Sequence, residues 1–189
     1  MRVGSSLLAL AVCVLLNGCA EQKSGDTHSD HDGHDHSSHS KAEAKGTPSP
    51  EFAKIVRTEG APDRMTGVMM ARKDAKHGEL VTVVGRVKDF VKGQGIFTMV
   101  DPILPACNDH PDDKCETPWD YCCEPKDKLL LHTATVKLIG EDNQIVKGTL
   151  QGTYGLDHLT TVVARGKAER DDTGNFLIAA TEIYIKKVP

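Results

Sequence analysis

The chain has 189 residues, 23 Lys and Arg against 27 Asp and Glu for a net charge of −4, and six cysteines. This balance excludes the dominant positive footprint that a phosphate backbone needs, so nucleic acid is not an expected partner. The length suits one domain plus a tether.

The chain opens with Arg2 and then an apolar run of ten residues, Leu7 to Leu16. Such a run fits a signal-peptide core and is too short for a membrane-spanning helix. It ends in Leu16-Asn17-Gly18-Cys19. This box is similar to the processing site of bacterial lipoproteins, and the resemblance implies that residues 1–18 are a signal peptide and that Cys19 takes the lipid. Two or more acyl chains give stable anchoring. The implied location is the cell envelope, facing the periplasm or the exterior, with the membrane as partner through the anchor. Ala20 stands where some bacteria place an aspartate to retain a lipoprotein in the inner membrane, so the outer membrane is favoured where one exists.

From Glu21 to Pro50 large apolar side chains are almost absent, so this stretch cannot bury enough surface to offset chain entropy and is expected to be a disordered tether. Within it His28, His31, His34, His36 and His39 alternate with Asp30, Asp32 and Asp35. Neutral imidazole is the commonest ligand for zinc, copper and nickel, and a flexible strand wraps an ion with several of them. Capture of a transition metal is weighed here against a solvated spacer; similar tracts occur in metal-trafficking surface proteins.

Residues 51–64 read as linker. Met65 to Ala75 reads as a short helix with Met65, Val68 and Met69 on one face. Leu80 to Val91 alternates as a strand with Val81, Val83 and Val87 inward, and Gly85 marks a bend. Further strands are expected over Ile96–Asp101, Leu129–Ile139, Leu159–Glu169 and Phe176–Lys187, the last two joined by a hairpin turn at Asp171–Asn175. The fold class is mainly β: a small five-stranded Greek-key barrel over 65–189, with a short preceding helix and an insertion loop at 102–128. The phrase Gly78-Glu79-Leu80-Val81-Thr82-Val83-Val84-Gly85-Arg86-Val87 and the closing hairpin around Val162–Ala168 and Glu182–Ile185 resemble OB-fold domains. That fold hosts binders of nucleic acid, sugar, protein and metal alike, so the resemblance implies a binding or interaction module without naming its ligand.

The insertion is the most distinctive segment. It carries five prolines and Cys107, Cys115, Cys122 and Cys123, spaced C-x7-C-x6-C-C. From Cys107 to Asp127 seven acids face Lys114 and Lys126, a net of −5. Outside the cytoplasm an even cysteine count reads first as disulfides, here joining Cys107 and Cys115 to Cys122 and Cys123 in either order. The second reading is a zinc or cuprous-copper centre of four thiolates, or of two or three with His110, although the spacing departs from the usual close cysteine pairs. Thiol–disulfide exchange at Cys122-Cys123 is the third.

His132 and His158 stand alone, and the sequence holds no nucleophile elbow, P-loop or zinc-protease motif, so no enzyme is expected. Small periplasmic barrels that carry copper are a precedent for fold and compartment, but their methionine, histidine and tryptophan ligand set is not reproduced here. The expected function is a membrane-anchored extracytoplasmic binding module with metal capture by its tether. The alternatives are a structural or envelope-protein-binding lipoprotein, and an oligosaccharide or nucleic-acid binder using Phe97 on the barrel face.

Overall fold

In the computed structural model, which describes residues 49–112 and 114–186, the period-two alternation of the long first barrel strand is realised directly. Strand β3 (Leu80–Phe90) turns Val81, Val83, Gly85 and Val87 inward. Its first half pairs antiparallel with β6 (Thr161–Arg170), from Leu80↔Lys167 to Arg86↔Thr161. Its second half pairs antiparallel with β4 (Ile96–Val100), with a register shift between Val87 and Asp89. One strand can serve two neighbours only by bending, and Gly85 permits it: a Cβ there would lie 2.8 Å from the Met99 sulfur.

Strand β4 continues antiparallel into β5 (Thr133–Leu138), β5 runs parallel to β7 (Phe176–Ile185), and β7 returns antiparallel to β6. Each of the five strands thus has two neighbours within the barrel, and the sheet closes as an OB-like Greek-key barrel. Its interior holds Val83, Val87, Phe97, Met99, Val136, Leu138, Val162, Ile178 and Ile183, all without exposed surface. Phe97 is therefore core, which removes the aromatic that a base-stacking or sugar-stacking face had been expected to use.

Three local expectations are corrected. The stretch expected as linker folds as helix α1 (Phe52–Ile55) and strand β1 (Val56–Arg57), which pairs parallel with β7 at Ile183 and Tyr184. Phe52 is fully buried, its ring against Gly95 and Gly148. The helix expected from Met65 starts later: Thr66–Gly67 form strand β2 beside β3, and α2 spans Val68–Asp74. Its inward face is Val68 and Ala71, with Met69 and Met70 exposed. The Asp101 carboxylate sets this start by accepting the Met69 N–H at 3.1 Å in the space a Cβ on Gly67 would fill. Finally, Leu129–Leu131, expected as the start of a strand, close helix α3 (Lys126–Leu131). Pro125 precedes it and the Lys128–Glu124 ion pair at 2.7 Å supports its first turn.

The expected β6–β7 turn is held by one side chain. The Asp171 carboxylate accepts the Thr173 and Asn175 backbone N–H groups at 3.0 and 2.8 Å, the Thr173 hydroxyl at 2.7 Å and the Asn175 amide at 2.8 Å. The Thr173 hydroxyl, then Asn175, lower its pKa to about 2. Because the folded value lies below the unfolded one, the turn's contribution to stability is complete above the ordinary carboxylate pKa and is lost as pH falls through about 2. Carboxyl NMR titration should place Asp171 there; a midpoint near 4 would mean that the turn does not engage the ionised form.

The signal-peptide, lipidation (Cys19) and histidine-tract (His28, His31, His34, His36, His39) readings lie outside the described residues.

Candidate metal centre

After β4 the chain enters the proline-broken insertion, which cannot satisfy its backbone with a ladder of its own. It is anchored first by Asp101, nearly buried, whose carboxylate also accepts the Ile103 N–H at 3.2 Å while its carbonyl accepts the Leu104 N–H at 3.0 Å. Leu104, Ala106 and Tyr121 are then buried against Val100 in a second apolar cluster, flanked by Leu129 and Leu159. The Cys107 N–H donates to the Asp120 carbonyl and the Asn108 N–H to the Pro118 carbonyl, both at 2.8 Å. Those two bonds lay 107–108 alongside 118–120, which carries Cys107 up to Cys122 and Cys123.

Two cations of β3 clamp this arrangement from the barrel side. Arg86 forms a two-pronged ion pair with Asp109, whose carboxylate also accepts the Ala106 N–H at 2.8 Å. The Arg86 hydrogen bond holds the Asp109 carboxyl below the usual carboxylate range. Lys88 lies 3.2 Å from Asp120. The Trp119 ring stacks on His158 at 4.7 Å and 20° between planes, with Phe90 edge-on to the same imidazole. His158 Nδ1 meets the Lys88 carbonyl, which can only accept, so that nitrogen carries the proton. His158 is thus a packing and anchoring residue of the loop. His132, also solitary in sequence, is buried with Nδ1 4.0 Å from the Asp101 carboxylate.

Within this frame the four sulfurs of Cys107, Cys115, Cys122 and Cys123 all lie within 4.8 Å of one another. Cys122 is 3.2 Å from both Cys107 and Cys115. Among the described residues no S–S bond is formed, so the paired disulfides expected first are not what the structure contains. The geometry is also not pairwise, since Cys122 approaches two sulfurs equally and can bond only one. Four thiolates around a tetrahedral zinc at about 2.3 Å would stand about 3.8 Å apart, inside the observed spread. His110, expected as a substitute ligand, is not in the cluster; the four cysteines supply a complete set themselves.

The electrostatics suit a cation. Burial pushes the Cys107 thiol up, but hydrogen bonds from the Cys122 and Cys115 side chains and from the Cys122 and Cys123 backbone N–H groups outweigh it, and its pKa is lowered. Backbone N–H groups aimed at a sulfur are the outer-shell support that metal-bound thiolates use. Cys123 goes the other way, pushed up to about 11 by its hydrogen bonds to Cys122 and Cys107 and by their charge. Four thiols this close cannot all ionise side by side, and a divalent ion at their centre removes that repulsion. Burial is uneven: Cys107 is buried, Cys115 half-buried, Cys122 and Cys123 exposed.

The four cysteines that the sequence marked do converge; the disulfides expected first are not formed among the described residues, and the cluster could hold a metal ion. The C-x7-C-x6-C-C spacing carries no sign of this convergence, which comes from two backbone bonds across the loop. The clamp was missed as well, since Arg86 and Lys88 read only as the outer face of a strand. Replacing Arg86 with Ala should cost about 1 kcal/mol in urea unfolding, the scale of a partly exposed ion pair, and shift the loop's amide resonances. An unchanged loop spectrum would show that the clamp does not hold it.

No protein-family model matches this chain, and no curated protein is significantly similar to it.

Proposed function

We propose that this chain is a lipid-anchored, extracytoplasmic metal-binding protein and not an enzyme. Cys19 carries the anchor; His28, His31, His34, His36 and His39 gather zinc, copper or nickel near the membrane; and the four-cysteine centre holds a soft ion on the barrel. The observation that carries this reading is the convergence of four sulfurs within 4.8 Å. Binding of a divalent ion by four thiols releases up to four protons and leaves a tetrathiolate of net charge −2, so affinity falls with acid. In an oxidising compartment the bound ion also protects the thiols, which accounts for cysteines at this spacing without a bond.

The test is metal analysis and thiol counting on the full chain, exported and purified without chelator. One ion per centre and four thiols that react only after chelation are expected. Absence of metal together with no titratable thiol would mean that the cysteines are oxidised in pairs and would overturn the reading. Changing all five tether histidines to Asn should lower zinc uptake beyond the first equivalent and leave the first in place. Cys19→Ser should abolish lipid labelling and release the protein from the membrane fraction.

A second reading, an envelope interaction module without a metal role, is favoured by one surface. Met69, Met70, Ile103, Leu130 and Leu131 are exposed large apolar residues. They stand on three segments joined through Asp101, whose carboxylate takes the Met69 and Ile103 N–H groups and whose own N–H donates to the His132 carbonyl. Cross-linking in intact envelopes from Met70→Cys would test it; loss of a specific adduct in a Leu130→Lys background supports a partner there.

A further inference from the structure

We infer that the four-sulfur centre is an exchange site: it surrenders its ion to an incoming thiolate through the Cys122–Cys123 edge while the domain stays folded. The inference rests on the metal reading proposed above and adds the direction and manner of transfer.

Three observations carry it. Access is one-sided, because Cys107 is buried at the base of the cluster while Cys122 and Cys123 lie exposed on consecutive residues. An attacking ligand therefore reaches the ion from the side on which two of its four bonds lie, without displacing any core residue. A structural centre is walled from solvent by its outer shell, and access is what that shell controls.

The second observation is that the loop is held by contacts that do not involve an ion. Tyr121, Leu104 and Ala106 are buried against Val100, Arg86 and Lys88 pair with Asp109 and Asp120, and the Cys107 and Asn108 N–H groups are bonded across the loop. The barrel beneath closes through its own strand pairing. Small domains that depend on a structural metal unfold when it is removed. Here the ligand frame is preorganised, so losing the ion need not unfold the domain.

The third is charge. Arg86, Lys88 and Lys128 offset Asp109, Asp120 and Glu124, and the segment from Cys107 to Asp127, −5 by itself, keeps a net charge of −2. A net negative charge raises the local concentration of cations and speeds their arrival. In the exchange step a thiolate sulfur of the acceptor forms a bond to the ion as the Cys122 or Cys123 sulfur leaves it and takes a proton from water. A second acceptor thiolate replaces the other exposed cysteine in the same way; the Cys107 and Cys115 sulfurs then leave the ion, each taking a proton from water, and the ion departs on the two acceptor sulfurs with water completing its coordination and no change of oxidation state. The acceptor class is a neutral or cationic dithiol or thiol-bearing protein, since an anionic one is repelled by the negative charge of the segment that carries the cysteines.

The experiment uses the full chain loaded with zinc, challenged with the neutral dithiol dimercaptopropanol, desalted at intervals and assayed for zinc, with circular dichroism in parallel. Loss of zinc within minutes, at a rate proportional to dithiol concentration and with the strand signal unchanged, is expected. Retention for hours, or a loss rate that ignores dithiol concentration and rises with urea as unfolding does, would overturn the inference while leaving a metal site in place. A chain that never takes up zinc would instead remove the metal reading and the inference together.

Discussion

Gly166→Ala is expected to destabilise the domain by about 3 kcal/mol or more, and to lower the melting temperature by about 10 °C. A Cβ at this position would stand 2.1 Å from the Ala179 carbonyl oxygen and 2.5 Å from the Ala180 Cα. Both are backbone atoms of the neighbouring strand, so no side chain can swing away to relieve the contact. The crowding arises where the β6–β7 ladder shifts register between Arg165 and Gly166. That shift lets β7 pair with β6 along its length while also meeting β5 on its other edge, so the glycine sits where the barrel closes. Urea unfolding followed by circular dichroism checks the prediction. Stability within about 1 kcal/mol of the parent would show that the two strands can separate at this point without opening the barrel.

Cys107→Ser should produce the largest loss of metal affinity, more than about 100-fold for zinc, because a hydroxyl is a poor replacement for a soft thiolate. The residue is buried and its sulfur accepts the Cys122 and Cys123 N–H groups, so no water or neighbouring side chain can take its place. Linkage gives a second measurement. Zinc at a hundredfold excess over its dissociation constant stabilises the native parent by about 2.7 kcal/mol, and this increment should vanish in the variant. The strand signal should persist, since the alternating core residues of β3 to β7 lie outside the loop. Titration of one new thiol in the variant, independent of metal and chelator, would point to a disulfide partner and contradict the four-thiolate centre.

How much of this was legible in the sequence depended on whether the signal was local. The alternation of β3 is a period-two pattern over eleven residues, and the inward set expected from it, Val81, Val83 and Val87, is buried. Gly85 was legible as a bend because little else explains glycine amid valines in a strand. Helix α1 was not legible: four residues give no periodicity, and Phe52 becomes core only once Gly95 and Gly148 leave room for its ring. Leu129-Leu130-Leu131 misled in the opposite way. An apolar run before a threonine-rich strand reads as its beginning, yet Pro125 and the Lys126–Asp127–Lys128 turn had already committed the backbone to helix. The centre itself was half legible. Four cysteines in one acidic loop are a local fact, whereas their convergence depends on Cys107 meeting Asp120 and on Arg86 and Lys88 reaching out from a strand some twenty residues earlier.

The stacking of Trp119 on His158 has a practical corollary. The chain contains a single tryptophan, so all indole emission originates three residues before the vicinal cysteines. That ring is half-buried and face to face with an imidazole whose other anchor is the β3 backbone. Any rearrangement that slides the loop over the barrel must change the indole's distance from the imidazole and its exposure to water, and therefore its emission wavelength and quantum yield. Tyrosine emission does not interfere when excitation is set at the red edge of the absorption band. The wild-type molecule therefore carries its own optical gauge of loop position, sensitive to local motion in a way that strand dichroism is not, and usable without attaching a dye to any of the four sulfurs.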